Sequence, residues 1–143
     1  EEQGISNVRL LVSDDSLSTV TGQFDLIHSY IVFQHIPPDR GREIFRGLLG
    51  LLQEGGIGAV HFAYSKTQFA GTNGVPPPQA RRVFRIPDVL PTGGDPEMQM
   101  NPYSMTEILY LMQMAGVYRF HAEFSDHGGE LGIFLFFQKP VRA

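Results

Sequence analysis

A cluster of polar side chains follows an apolar run in residues 23–38, QFDLIHSYIVFQHIPP. Ser29 and Tyr30 interrupt the run, and Gln34 and His35 stand just before a double proline. Hydroxyl groups can bind and orient a ligand, and an imidazole can accept a proton near neutral pH. His35 is therefore a candidate base, a candidate substrate contact, or a structural donor that ties this segment to the next helix.

A second polar group, SDDS at residues 13–16, follows the apolar stretch NVRLLV at residues 7–12. Asp14, Asp15 and Ser16 could accept hydrogen bonds from a ligand, or they could form a turn, as Asp and Ser commonly do. Both interpretations are open. Two tyrosines near predicted element ends, Tyr64 and Tyr103, are candidate substrate contacts.

The elements that must position these side chains follow a strand, helix, strand pattern. The predicted strands cover residues 7–12, 24–33 and 57–64. The second is apolar enough to be buried on both faces of a parallel sheet. Between it and the third lies a predicted amphipathic helix, residues 39–53, with Gly55 and Gly56 as its stop signal. This order predicts a right-handed parallel crossover, and ligands in such sheets lie beyond the carboxyl ends of the strands.

The remaining chain reads differently. Residues 65–102 hold seven of the ten prolines and show no period, which predicts a lid or an insertion within the domain. The sequence SMTE at residues 104–107 predicts a capping box, with Ser104 as N-cap and Glu107 as its partner, at the start of a second helix that ends at Gly116. An alternating segment, a DHGGE turn and an apolar return strand then predict a C-terminal antiparallel hairpin.

Composition narrows the function classes. A chain of 143 residues can form a single domain over residues 1–143. A formal net charge of −4 argues against a nucleic-acid partner. The absence of cysteine excludes a disulfide framework and a thiolate zinc site, and we expect no metal. No stretch has the length and apolar character of a membrane helix, so we expect no membrane partner. The lack of cysteine fits a reducing interior, and we expect a cytoplasmic protein.

Taken in order, NVRLLVSDD, FDLIHSYIVFQHI, LLQEGG and YSMTEILYLMQMAGV resemble the Rossmann-like, class I S-adenosylmethionine-dependent methyltransferases, from about Gly4 to Pro140. The resemblance implies an α/β fold: a partial Rossmann-like methyltransferase sheet with mostly parallel central strands, a C-terminal antiparallel hairpin and flanking helices. It also implies S-adenosylmethionine as cofactor and methyl transfer to an acceptor, which we expect to be a small molecule.

The resemblance further implies roles for the polar residues. An Asp after the strand at residues 7–12 would bind the adenine amino group, and Asp14 matches that position best. The end of the strand at residues 24–33 would line the methionine part of the cofactor. The expected cofactor-binding set is Asp14, Asp15, Ser16, Ser29 and Tyr30. The expected catalytic residue is His35, and the expected substrate contacts are Tyr64 and Tyr103.

The sequence departs from that family in one respect that bears on cofactor binding. It has no glycine-rich loop that follows a strand and opens a helix. We therefore expect the C-terminal part of a methyltransferase domain, inactive alone and with weak or no cofactor binding. The alternative is a non-catalytic dimerisation or substrate-binding module. Residues 7–12, a second copy or further residues should cover the free edge of the strand at residues 24–33, and we expect a homodimer through this edge.

Overall fold

The computed structural model describes residues 6–66 and 100–141. Within these ranges the chain forms β1 (Phe24–Ser29), α1 (Pro38–Leu51), β2 (Leu52–Lys66), α2 (Met105–Met114), β3 (Phe120–His127) and β4 (Glu130–Gln138). A short 3-10 helix, Phe33–His35, lies between β1 and α1. The predicted α/β class is confirmed.

The described strands form one sheet in the order β1-β2-β4-β3. β1 and β2 run parallel through the crossover helix α1, whereas β2–β4 and β4–β3 are antiparallel. The hairpin between β3 and β4 turns at Gly128 and Gly129, both with positive φ, as a two-residue type I′ turn requires. β1 and β3 are the edges of this sheet. The predicted C-terminal hairpin is confirmed.

One face of the sheet holds the hydrophobic core. Val60 and Phe62 of β2 and Leu135 of β4 are fully buried there, together with side chains of α1 and α2. The ring of Phe33 lies 4.7 Å from that of Phe62, so the 3-10 helix also packs into this core. The side chains at residues 33, 45, 62 and 103 form a network of tilted and edge-to-face ring contacts that orients these segments.

The opposite face carries neither of the described α-helices. The strand register places His28, Ala59 and Phe136 in one row across it, and His61 and Phe134 in the next. Aromatic and imidazole rings thus dominate this face. Parallel strands are usually covered on both faces, and among the described residues no helix covers this face of the pair β1–β2.

Two sequence predictions are wrong at the amino-terminal end. Residues 7–12 form no strand and are exposed, with Leu10 at 90% and Val12 at 92% of full exposure. A strand needs a hydrogen-bonding partner, and no described strand lies beside these residues, so they do not cover β1. The strand predicted at residues 24–33 ends at Ser29, because the backbone turns there and continues as the 3-10 helix.

The predicted stop of the first helix is also misplaced. Gly55 and Gly56 lie inside β2, which begins directly after α1 at Leu52. The helix end is capped from a distant part of the chain: the ammonium group of Lys139 donates to the carbonyl oxygens of Leu49 (2.9 Å) and Leu52 (2.6 Å). A cation at a helix carboxyl end satisfies open carbonyls and opposes the helix dipole.

Ser104 is the N-cap of α2, as predicted, but its side chain makes no capping hydrogen bond. Glu107, the expected second member of the capping box, instead accepts a hydrogen bond from Arg42 of α1 at 2.7 Å. The capping box is therefore replaced by a bridge between the two helices. The carboxyl end follows the prediction, because Gly116 adopts a positive φ directly after the C-cap.

The proline-rich segment predicted as a lid, residues 65–102, lies mainly outside the described residues. Its ends belong to β2 and to the approach to α2. No described helix is long and apolar enough to cross a membrane. Within residues 6–66 and 100–141, no group of three or more His, Asp or Glu side chains could hold a metal ion.

Candidate functional site

The segment after β1 is the centre of the candidate site. β1 ends at Ser29, and Ile31 has a φ of 55°, in the left-handed region that β-branched residues rarely adopt. The 3-10 helix Phe33–His35 then carries the chain into α1. This conformation turns the chain sharply at the carboxyl end of β1, which is where open parallel sheets place their ligands.

Residues just before α2 donate hydrogen bonds to the backbone of this segment. The backbone N–H of Asn101 donates to the carbonyl oxygen of Gln34 at 2.7 Å, and its side-chain amide donates to the same atom at 3.2 Å. The hydroxyl of Tyr103 lies 3.0 Å from the carbonyl oxygen of Phe33 and 2.8 Å from that of Ile36, and can donate to either. The segment is thereby held in a fixed shape.

Tyr103, an expected substrate contact, is held in place by its hydrogen bonds to the segment after β1. Its side chain is 3% exposed, and burial raises the pKa of its hydroxyl well above the usual value. The hydroxyl therefore stays protonated and serves the backbone of the 3-10 helix. The geometry gives Tyr103 a structural role, which the spacing of the sequence did not indicate.

The loop after residues 7–12 is the second part of the candidate site. The carboxylate of Asp14 accepts hydrogen bonds from the Ser16 hydroxyl (2.8 Å), the Ser18 backbone N–H (3.0 Å) and the Ser18 hydroxyl (2.8 Å). These bonds, chiefly those from Ser18, lower the pKa of Asp14 to about 2. Asp14 does form the turn that was one of its two open interpretations. Its exposed carboxylate keeps acceptor capacity on the second oxygen.

Asp15 connects this loop to α1. Its two carboxylate oxygens accept hydrogen bonds from Nε (2.5 Å) and a terminal nitrogen (2.8 Å) of Arg40, and this pairing lowers the pKa of Asp15. Asp15 and Ser16 also line a shallow groove of about 460 Å³ with Glu43, Arg46 and Gly47 of α1. The loop and the segment after β1 are therefore anchored on the same helix.

Backbone strain marks both loops. In residues 6–66 and 100–141, the non-glycine residues with positive φ are Leu17 (57°) and Ile31 (55°). One lies in the loop that contains Asp14, and the other follows Tyr30. Such conformations cost about 1–2 kcal/mol each for side chains of this kind, and they concentrate at functional sites. Sequence reasoning missed both, because Leu and Ile carry no turn signal.

Tyr30 lies on the sheet face that α1 and α2 leave open. Its ring centroid is 5.3 Å from that of His61 and 5.6 Å from that of Phe134. A cleft of about 380 Å³ opens among these rings and the side chains of His28, Glu123, Phe124, Ser125 and Phe136. Tyr30 thus borders both this cleft and the strained turn, whereas Ser29 is half-buried beside it.

The remaining sequence candidates lie at separate places. His35 is half-buried in the 3-10 helix, with Nε2 3.4 Å from the side-chain amide nitrogen of Gln34. Tyr64 is half-buried in β2, and its ring contacts Phe124 edge-on at 5.8 Å. The structure therefore brings Ser29, Tyr30 and His35 onto one segment and places Tyr64 on the sheet. The catalytic role of His35 and the substrate roles of Tyr64 and Tyr103 stay predictions.

His61 is a buried polar residue of the open face, on the same side of β2 as Ala59. Its side chain is 1% exposed, and burial lowers its pKa, with a smaller effect from nearby His127. Nε2 lies 3.4 Å from the Ser125 hydroxyl, whereas Nδ1 has no hydrogen-bond partner among the described residues. The imidazole sits over Gly132, where any side chain would collide with Nε2.

No protein-family model matches the sequence, and no curated protein matches it either. Solved structures do match the fold. The chain superposes on a magnesium protoporphyrin IX methyltransferase from Synechocystis PCC 6803 with bound S-adenosylhomocysteine. The TM-score is 0.60 at 12% identity, over 90% of this chain and 50% of that one.

Two further structures agree. A methyltransferase from Methanosarcina mazei, described as S-adenosylmethionine-dependent, gives a TM-score of 0.56 at 14% identity, over 94% of this chain and 64% of that one. The N-methyltransferase NodS from Bradyrhizobium japonicum WM9, in complex with S-adenosyl-L-homocysteine, gives 0.50 at 14% identity, over 90% and 53%. The chain spans less than two thirds of each. At this identity the likeness concerns the fold, and the fold is part of that of the class I S-adenosylmethionine-dependent methyltransferases.

Proposed function

We propose that this chain supplies part of the site of an S-adenosylmethionine-dependent methyltransferase that acts on a small-molecule acceptor. The observation that carries the proposal is the pair of strained turns at Leu17 and Ile31, one in each of the two loops expected to bind cofactor. Both loops lie against α1: Asp15 pairs with Arg40, and the ring of Phe33 meets that of Phe45 edge-on.

The residues present fit the adenosine part of the cofactor. A carboxylate such as Asp14, which is exposed and ionised well below neutral pH, can accept a hydrogen bond from an exocyclic amino group. Ser16 and Asp15 border the groove beside it. Ser29 and Tyr30 would hold the methionine part at the carboxyl end of β1, and the sulfonium would supply an activated methyl group.

Residues of this chain would also orient the methyl acceptor and, where needed, remove a proton from it. In a displacement, the nucleophile must be aligned with the methyl carbon, and a base removes the proton of a nucleophile that carries one. His35 stands within the segment that follows Ser29 and Tyr30, and Tyr64 lies on the neighbouring strand. His35 is therefore the proposed base, and Tyr64 the proposed acceptor contact.

A second candidate function is a non-catalytic module of the same fold. The sequence has no G-x-G-x-G run, and β1 has no described neighbour on its outer side. Either feature fits a chain that dimerises or binds a substrate without methyl transfer. Cofactor binding separates the two functions.

In the test, the 143-residue chain is titrated with adenosine and, separately, with homocysteine. The backbone amide signals in NMR spectra report binding. We expect weak, millimolar binding, with adenosine shifting signals of residues 13–18 and homocysteine shifting those of residues 28–35. Asp14→Asn should abolish the adenosine response, and Asp126→Asn on β3 should leave it intact. The titration decides between weak binding and none: if neither compound shifts either loop at its limit of solubility, the methyltransferase proposal is wrong and the non-catalytic module remains.

A further inference from the structure

The outer edge of β3 is a regular strand with exposed aromatic side chains. β4 occupies one side of β3, and no described strand occupies the other, while the described amino-terminal residues lead into β1 at the opposite end of the sheet. Phe120 is 41% exposed and Phe124 71%, and both lie on the core face, beside Phe137 and Ile133 of β4. Proteins usually protect such an edge with lysine, proline or a bulge, and β3 has none of the three.

The turn of the hairpin determines which backbone groups of β3 face outward. The chain turns through Gly128 and Gly129, and His127 faces Glu130 across the turn. In a two-residue turn, the carbonyl of the residue before it accepts a hydrogen bond from the N–H of the residue after it, so the backbone of His127 faces β4. Antiparallel ladders alternate, so the N–H and C=O groups of residues 120, 122, 124 and 126 point away from β4. A further strand could bind these groups.

The sequence of β3 is complementary to itself in the antiparallel register centred on Ala122. When Ala122 faces its own copy, Phe120 faces Phe124 and His121 faces Glu123. Outward-facing residues then lie opposite one another, as the hydrogen bonds require. Each pair of unlike residues occurs twice, because the contact is symmetric. Aromatic pairs, and pairs of a carboxylate with an imidazole that can carry the opposite charge, stabilise antiparallel strands when they stand directly opposite.

The neighbouring registers that keep outward-facing residues opposite one another lack this match. Centring on Glu123 places that carboxylate opposite its own copy and Phe120 opposite Asp126. Centring on His121 places two imidazoles opposite one another and Phe120 opposite Ala122. Like charges directly opposite destabilise paired strands. The charges of β3 therefore favour one register, and the partner that they fit is β3 of a second copy.

We propose that β3 pairs antiparallel with β3 of a second copy of the chain, about a two-fold axis that passes beside Ala122 and perpendicular to the sheet. The two described four-stranded sheets join into one sheet of eight strands, with the helices of both copies on the same face. The exposed ring of Phe124 then packs against Phe120 of the partner subunit on that face. On the other face, the exposed pair of His121 and Glu123 meets its own copy with opposite charges adjacent. One symmetric contact covers both edges.

The contact has a consequence for the cleft on the open face. Glu123 and Ser125 of β3 line the cleft that also contains Tyr30 and His61. In the proposed register, His121 of the partner subunit lies directly opposite Glu123 on the same face. Each cleft of the dimer is therefore bordered by residues of both copies.

Light scattering coupled to size-exclusion chromatography, over a range of concentrations, measures the dimer. Glu123→Lys places a cation opposite His121 of the partner subunit, twice in the dimer, and should weaken dimerisation about tenfold. Glu43→Lys is the matched control, because Glu43 is similarly exposed and also belongs to an exposed pair, with Arg46. It should leave dimerisation unchanged.

Two outcomes of this experiment would overturn the proposal. One is a wild-type chain that is monomeric at every concentration. The other is a dimer that Glu123→Lys and Glu43→Lys affect equally. The second outcome would point to a contact elsewhere, such as the edge of β1, because Glu123 lies at the other end of the sheet.

Disulfide trapping tests the register. The chain has no cysteine, so a single substitution introduces the sole thiol. In a mixture of His121→Cys and Glu123→Cys chains, the two positions face each other with Cα atoms about 4.5 Å apart, which allows a disulfide. Between two chains of the same variant the thiols lie diagonally, with Cα atoms about 7–8 Å apart, beyond the usual range.

Mass spectrometry after mild oxidation measures the three possible products of that mixture. The mixed disulfide should exceed its statistical share, and each variant alone should cross-link poorly. Disulfides between chains of the same variant at or above their statistical share would contradict the register.

Discussion

Gly41 of α1 faces the hydroxyl of Tyr103, and there is no room between them for a side chain. A β-carbon at residue 41 would overlap the hydroxyl oxygen and come within 2.8 Å of two ring atoms. This close approach allows Tyr103 to reach the carbonyl oxygens of Phe33 and Ile36. The shape of the segment after β1 therefore depends on a glycine in a neighbouring helix.

Gly41→Ala should lower the free energy of unfolding by about 2 kcal/mol, because the overlap with Tyr103 outweighs the better helix propensity of Ala. Gly50→Ala is the matched control in the same helix, since nothing lies within 4 Å of an added β-carbon there. The control should gain up to about 1 kcal/mol. Urea unfolding of both variants gives the comparison, and equal stabilities would contradict the packing described here.

Ile31→Asn should raise the free energy of unfolding by about 1 kcal/mol, because Asn tolerates the left-handed conformation that strains Ile. Val32→Asn is the control, since Val32 has a φ of −109° and is 48% exposed. It should bring no gain. Chemical denaturation measures both, and a gain in Val32→Asn of the same size would show that strain is not the cause.

Asp14 should make stability depend on acid pH. Its pKa is about 2 in the folded chain and 3.8 as the ordinary value. The folded state thus binds the proton less readily, and the stabilisation is complete above about pH 4 and disappears as the pH falls toward 2. Asp14→Asn should lower the melting temperature at pH 7, with a difference that shrinks below pH 4. A difference that stays constant down to pH 2.5 would contradict this origin.

Lys66 and Glu130 face each other on β2 and β4, with the ammonium nitrogen 2.9 Å from a carboxylate oxygen. Their side chains are 4% and 17% exposed. Glu130→Gln leaves a buried ammonium without its counter-charge and should cost about 3 kcal/mol in unfolding free energy. Glu43→Gln, which breaks the exposed pair with Arg46, should cost under about 1 kcal/mol. Comparable losses in the two variants would contradict the burial of the pair.

Periodic segments were predictable from sequence. The apolar residues of α1, α2 and the hairpin recur with the period of the element that they form, so each element was predictable from its own segment. The crossover between β1 and β2 follows from the order strand, helix, strand. Boundaries set by distant residues were not predictable. α1 ends where Lys139 caps it, and Glu107 pairs with Arg42 rather than with its own helix start.

The candidate site also combines features that were predictable from local sequence with features that depend on distant residues. The strand that leads into the site could be located from its apolar run, although it ends at Ser29 and not at residue 33 as predicted. The strain at Leu17 and Ile31 depends on tertiary contacts, so residue types gave no sign of it. Residues 7–12 have strand composition, yet they form none, since pairing requires a neighbour that composition cannot supply.

The central position of β2 also sets an order of assembly. The hairpin β3–β4 closes through two glycines, and β1, α1 and β2 are consecutive, so both units can form from local contacts within microseconds to milliseconds. The register between β2 and β4 joins parts of the chain that are far apart in sequence. We expect this closure to limit the folding rate, because its entropic cost precedes the contacts that repay it. Until it occurs, the long apolar strand β2 has one free edge of its own.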